Sequence, residues 1–217
     1  MNTFQPRLDI LPTPQRALWP QLGELPRGLV LYGGTALALR LGHRASVDFD
    51  FFASDPFDPR DLIDGCALLR NARVHQSKAN TLTVALPDAG GIQLSFFGGL
   101  TITRVGEPEW DERRTVLVAS LDDLAARKIA VLPQRAEAKD YLDVAALLAH
   151  GISLERALGC AAAVYGGRFN PMASLKALSY FEDGCRRCRP TFARPCATRR
   201  PRWASFLAWI AQALASL

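Results

Sequence analysis

Leu31-Tyr-Gly-Gly-Thr-Ala-Leu-Ala-Leu-Arg40, followed by Val47-Asp-Phe-Asp-Phe-Phe52, is the stretch that decides the fold. Ahead of it, the apolar run from Gly28 to Tyr32 is short and bounded by glycines, which predicts a buried strand. Thr35 to Arg40 holds good helix formers and closes at Gly42, so a short helix follows the Gly33-Gly34 turn. Val47 to Phe52 alternates acid and aromatic. A strand points successive side chains to opposite faces, so Asp48 and Asp50 share one. Two carboxylates side by side suit a hard cation such as Mg²⁺ or Mn²⁺. A glycine turn at a helix N-terminus suits phosphate, because the backbone approaches closely and free N–H groups point outward. Strand, Gly-Gly-Thr, helix, strand with Asp-Phe-Asp therefore forms a metal–phosphate constellation. The plain alternative is a tight turn and two solvated acids on an edge strand, which the flanking aromatics disfavour.

Outward from that core, Pro14–Leu22 reads as a short helix and Pro56–Leu69 as a turn and helix. Short strands are expected near Arg73–Gln76, Thr81–Leu86 and Ile92–Phe97, with a weaker one at Thr115–Val118. Ser120 caps a helix over Leu121–Leu132 that has an acid pair in its first turn. Further helices are expected over Glu137–His150, Ser153–Tyr165 and Met172–Phe181. Strands dominate the first half and helices the second. The fold class is thus α/β (α+β), a mixed sheet followed by a helical half. The implied organisation is a core over 1–120, a helical region over 121–183 that completes the site, and an atypical tail over 184–217.

The 217 residues are 49% hydrophobic and 22% charged, which excludes a wholly disordered chain. No uncharged apolar run is long enough to span a bilayer, and the N-terminus lacks a basic-then-apolar leader, so a cytoplasmic protein without a membrane role is expected. The net charge of +5 is unevenly placed. Residues 1–184 hold 15 Arg and 4 Lys against 21 acids, a balance of −2, whereas 185–217 hold seven Arg and no acid. Cys66 and Cys160 lie in apolar surroundings and read as core residues. Cys185, Cys188 and Cys196 crowd the tail, but a structural zinc site wants four ligands and no His lies near them. His43, His75 and His150 show no ligand or catalytic spacing.

The quoted motif resembles the first motif of nucleotidyltransferases of the AbiEii/AbiGii toxin family, within the polymerase-β-like superfamily. Asp122-Asp-Leu-Ala-Ala-Arg-Lys128, then Arg135, then Lys139-Asp140-Tyr-Leu-Asp143, is similar to that family's downstream signature; the similarity runs from about residue 28 to 183. The resemblance implies a metal-dependent transfer of a nucleoside monophosphate from an NTP to an acceptor such as a tRNA or other RNA. It also implies a toxin-like component of a toxin–antitoxin or phage-defence system with a cognate antitoxin. Asp48 and Asp50 are the implied metal ligands. Gly33, Gly34, Thr35, Lys128 and Arg135 are the implied nucleotide-binding residues, and Lys139, Asp140 and Asp143 complete the catalytic set. The two acids, at i and i+3 on one helical face, either form an ion-pair patch that orients Lys or Arg or, for Asp143, accept the proton.

The superfamily places a third carboxylate on a later strand, whose natural position here is Ile92–Phe97. Gln93 and Ser95 face the same way there and neither is ionised, which leaves Asp143 as the candidate substitute. Two other readings stay open: a non-catalytic nucleotide-binding relative acting as a sensor or partner-binding module, and an RNA-binding protein working through its basic tail. The tail itself reads either as an arm for RNA phosphate or as a shifted reading frame.

Overall fold

The computed structural model describes residues 2–99, 103–135 and 137–179. The tail over 184–217, with its three cysteines and seven arginines, lies outside them. One eight-stranded sheet forms the centre: β1 (Thr3–Phe4), β2 (Val30–Tyr32), β3 (Phe49–Phe52), β4 (Arg73–Lys78), β5 (Thr81–Leu86), β6 (Ile92–Phe97), β7 (Glu109–Asp111) and β8 (Leu117–Val118). Its spatial order is β1-β7-β8-β2-β3-β6-β5-β4. The mixed sheet agrees with the expected class.

β2, the helix α2 (Gly33–Leu41) and β3 follow the sequence reading closely. Gly42 closes α2 at φ +66°, a left-handed conformation that glycine adopts without strain. β3 runs antiparallel to β2 and parallel to β6. In β5 every second residue is buried, and β6 contributes Leu94 and Phe96 to the same core. Phe51 and Phe96 stack there at 5.6 Å between ring centroids. Also on the core side are α1 (Thr13–Leu18) and α3 (Pro59–Gly65), which supply Leu18 and Leu62. Cys66 and Cys160 are both buried.

Two short strands escaped the sequence reading, β1 and β7. Neither has enough residues to show a period, and Arg40 near the end of α2 touches both. Its guanidinium donates to the Ala119 and Val118 carbonyls, pairs with Glu109 of β7 at 2.7 Å, and covers the Phe4 ring of β1.

The helical half comprises α4 (Leu121–Val131), α5 (Ala138–Ala149), α6 (Leu154–Tyr165) and α7 (Pro171–Ser179). Helix α4 joins two cores: Leu124 and Ala125 pack with the sheet, Ala126 and Ile129 with α5, α6 and α7. Its cap is reciprocal, with Ser120 Oγ accepting from the Asp123 amide and donating to the Asp123 carboxylate. Among the described residues no single helix is long and apolar enough to cross a membrane.

Candidate active site

Asp50 sits on β3 between Tyr32 of β2 and Ser95 of β6, its register partners. Asp48 lies two residues earlier on the same face, exposed at the entry to the strand. Gly33 turns beneath them at φ +78°, and a Cβ built there would stand 2.7 Å from Asp50 Oδ2. Only glycine leaves that space free. Helix α2 has no side-chain cap at Tyr32, so its first turn keeps backbone donors for an anion. Thr35 does not contribute its hydroxyl to that cradle. It is buried, shares a hydrogen bond with Ser46 Oγ at 2.8 Å and donates to the Asp48 carbonyl, and so fastens the start of α2 to the start of β3.

Burial and the neighbouring Asp48 charge push the Asp50 carboxyl above its ordinary range. The Ser95 hydrogen bond and the Lys128 and Arg135 charges pull the other way. A cation bound beside the pair would relieve both the desolvation and the like-charge repulsion. Among the described residues no group of three or more His, Cys, Asp or Glu is gathered as a ligand set. The donor set is therefore two carboxylates. It fits an ion such as Mg²⁺, which keeps waters and takes substrate phosphate oxygens beside one or two carboxylates.

Beside Asp50 is a cleft of ≈ 290 Å³ between the sheet and α4, lined by Tyr32, Asp50, Phe52, Arg127, Lys128 and Arg135 among others. Behind its rim lies a buried web of charge. Lys128 Nζ stands 2.9 Å from Asp140 and 2.5 Å from Asp143, both fully buried. Arg135 reaches Asp140 at 3.0 Å from the more exposed side. Asp143 also takes a two-pronged bond from Arg44, at 2.7 and 3.0 Å, and one with His43 Nε2 at 2.7 Å. Those partners hold its carboxyl far below the usual range although burial opposes them. This corrects the expectation that Asp143 replaces the missing strand acid or takes a proton: a carboxylate saturated by three basic side chains has no lone pair or basicity to spare. Lys139 points elsewhere, half-exposed and paired with Glu137 at 2.8 Å.

The family model for the nucleotidyl transferase AbiEii toxin of Type IV toxin–antitoxin systems matches residues 17–210. The chain belongs to that family. It is thus a toxin-family nucleotidyltransferase. It is 34% identical over 157 residues to an uncharacterized protein of Aquifex aeolicus (strain VF5), covering 70% of this chain and 73% of that one. Two solved structures share the fold. A provisionally assigned nucleotidyltransferase from H. pylori matches with a TM-score of 0.58 at 18% identity, covering 92% of this chain and 91% of its own. MenT4, a nucleotidyltransferase toxin from Mycobacterium tuberculosis H37Rv, matches with a TM-score of 0.54 at 19% identity, covering 90% and 80%.

Within this AbiEii-family site the structure brings together Asp48, Asp50, Gly33 and Gly34 on the sheet side, and Lys128, Arg135, Asp140 and Asp143 on the helical side. Arg44, His43 and Arg127 were not found from sequence. Arg44 and His43 meet Asp143 across about a hundred positions, with no local pattern to announce it. Arg44 Nη2 also stands 2.3 Å from the Cβ that Gly34 lacks, so it links the glycine turn to α5. Arg127 lies over Tyr32 at 4.4 Å and Phe52 at 5.1 Å, a cationic wall on an aromatic base. Gly33→Ala is expected to lower stability by about 1–2 kcal/mol through the left-handed φ and to weaken nucleotide binding by displacing Asp50. Thermal melts and nucleotide titrations of the same variant measure both losses.

Proposed function

We propose that this chain is a metal-dependent nucleotidyltransferase that moves a nucleoside monophosphate from an NTP to an RNA hydroxyl, with a tRNA as the acceptor, in the cytoplasm and under control of a cognate antitoxin. The observation behind this reading is the pairing of Asp48 and Asp50 above the Gly33-Gly34 turn, opposite a cationic cleft. Family membership supports it. In the reaction the acceptor hydroxyl releases its proton to solvent as its oxygen bonds the α-phosphorus, the bond from that phosphorus to the bridging oxygen breaks, and pyrophosphate leaves.

Asp48 and Asp50 would hold Mg²⁺ or Mn²⁺, which supplies charge neutralisation on the triphosphate. The first turn of α2 and the Gly33-Gly34 backbone bind phosphate oxygens. Lys128 and Arg135 add positive charge on the opposite side while Asp140 keeps both in place. The Arg127 guanidinium, held over Tyr32 and Phe52 and lining the cleft, offers a planar cation on which a nucleobase can stack. Asp143 fixes Arg44 and Lys128 and stays ionised throughout.

Calorimetry of the four NTPs with and without Mg²⁺ tests this, comparing wild type with Asp50→Ala. Binding that requires both the metal and Asp50 is expected, and it names the preferred base. Binding that is indifferent to either would overturn the site. Metal-dependent binding with no transfer to any RNA would instead favour the sensor reading, to which Ser95 in place of an acid lends weight.

A further inference from the structure

Outside the cleft, the face of the sheet that carries Asp50 continues across β6, β5 and β4. The register makes a row of Asp50, Ser95, Thr83 and Gln76 across four strands. One rung to either side, Thr81 faces Lys78 and Ala85 faces Arg73. Thr81, Thr83 and Ala85 are half-buried and all six residues of β4 are exposed. Ser95, next to Asp50, is buried, and from β5 outward this face is open among the described residues, in contrast to the opposite face, where Leu82, Val84 and Leu86 lie in the core.

A bulge between Val74 and Gln76 shapes the floor. Strict alternation would put Arg73 and Gln76 on opposite faces, since they are three residues apart. The extra residue, His75, restores the phase, so Arg73 and Lys78 both stand on the Asp50 side. Strands β4, β5 and β6 together contain no Asp or Glu. At the inner end, Phe97 packs on Phe52 at 5.0 Å between ring centroids.

We propose that this floor binds the single-stranded nucleic-acid end that accepts the nucleotide, with its phosphates on Arg73 and Lys78 and its terminal hydroxyl at Asp50. The inference rests on the nucleotidyl-transfer reading of the site. Charge, position, reach and stacking carry it. The floor is cationic and free of acids, which suits a polyanion. It lies on the far side of Asp50 from the cleft under α4, and in-line transfer needs the acceptor opposite the leaving pyrophosphate. Three strand spacings measure about 14 Å, the length of about four stacked nucleotides. Aromatic rings beside the catalytic end provide the sequence-tolerant stacking that single strands use.

The test is fluorescence anisotropy of a short labelled RNA with a free 3′ hydroxyl, and of its DNA counterpart, on the full chain. Arg73→Glu/Lys78→Glu is compared with wild type and with Arg27→Glu/Arg60→Glu, which changes the net charge equally off the floor. All three proteins keep the basic tail, so differences among them report the floor. The floor variant is expected to bind RNA at least about tenfold more weakly, with a log–log salt slope shallower by about 1.4 for two lost phosphate contacts. Its Mg²⁺-dependent NTP binding is expected to stay intact. A loss for RNA alone assigns the ribose a part, and an equal loss for DNA assigns recognition to phosphate and stacking; either supports the floor. Equal RNA binding by the floor and control variants overturns the proposal while leaving the NTP site standing.

Discussion

Asp50→Asn is expected to cut nucleotidyl transfer about a thousandfold, some 4 kcal/mol of transition-state stabilisation, while making the protein more resistant to heat. The two effects have one cause. Burial and the nearby Asp48 raise the Asp50 carboxyl above its ordinary range, so the ionised form is unfavourable in the folded state. That penalty is present at neutral pH, above the raised value, and disappears as the pH falls through it. A neutral amide of the same shape escapes the penalty and loses the charge on which a cation depends. The melting temperature of the variant should therefore exceed that of wild type at pH 7 and converge with it in acid. Single-turnover transfer rates and melts over pH check both halves. A variant that is inactive but less stable at neutral pH would show that Asp50 serves the fold instead.

Asp143→Ala is expected to have the largest effect on stability, a loss of about 3–5 kcal/mol. Its removal leaves Arg44 and His43 converging on a space without their carboxylate partner, and leaves Lys128 to Asp140 alone. Breaking one partner of a buried pair is far worse than never having built it, because the remaining charges stay desolvated. The pH dependence has a definite sign. The folded-state carboxyl lies below its ordinary value of 3.8, so its contribution is complete above that value and is lost as the pH drops toward the folded one. Urea denaturation at pH 7 should show the full gap between wild type and variant, and the gap should close in acid below the ordinary value. A gap that persisted unchanged in acid would rule out the ionised carboxylate as its source. Because Arg44 also stands over Gly34, nucleotide binding should weaken in the same variant even where it is still folded.

The local elements around the site were legible because each has its own signature. The Gly33-Gly34 turn needs residues without a Cβ, α2 ends on a left-handed glycine, and the alternation of β3 assigns Asp48 and Asp50 to one face before any partner strand is known. The absence of an acid at Ser95 was visible too, as the alternation of β6 required. β1 and β7 were invisible, since strands of two and three residues carry no period and are made by pairing with each other and with β8.

By itself, then, the sequence determined most of the elements in order and the pair of carboxylates that share one face of the sheet. These follow from backbone periodicity and steric limits that act within a few residues. Only the tertiary structure decided what the charges do. It saturated Asp143, turned Lys139 outward toward Glu137, spent the Thr35 hydroxyl on Asp48, and recruited Arg44, His43 and Arg127. A charge takes its role from its partners and from the water it has lost, and both are set by residues a hundred positions away.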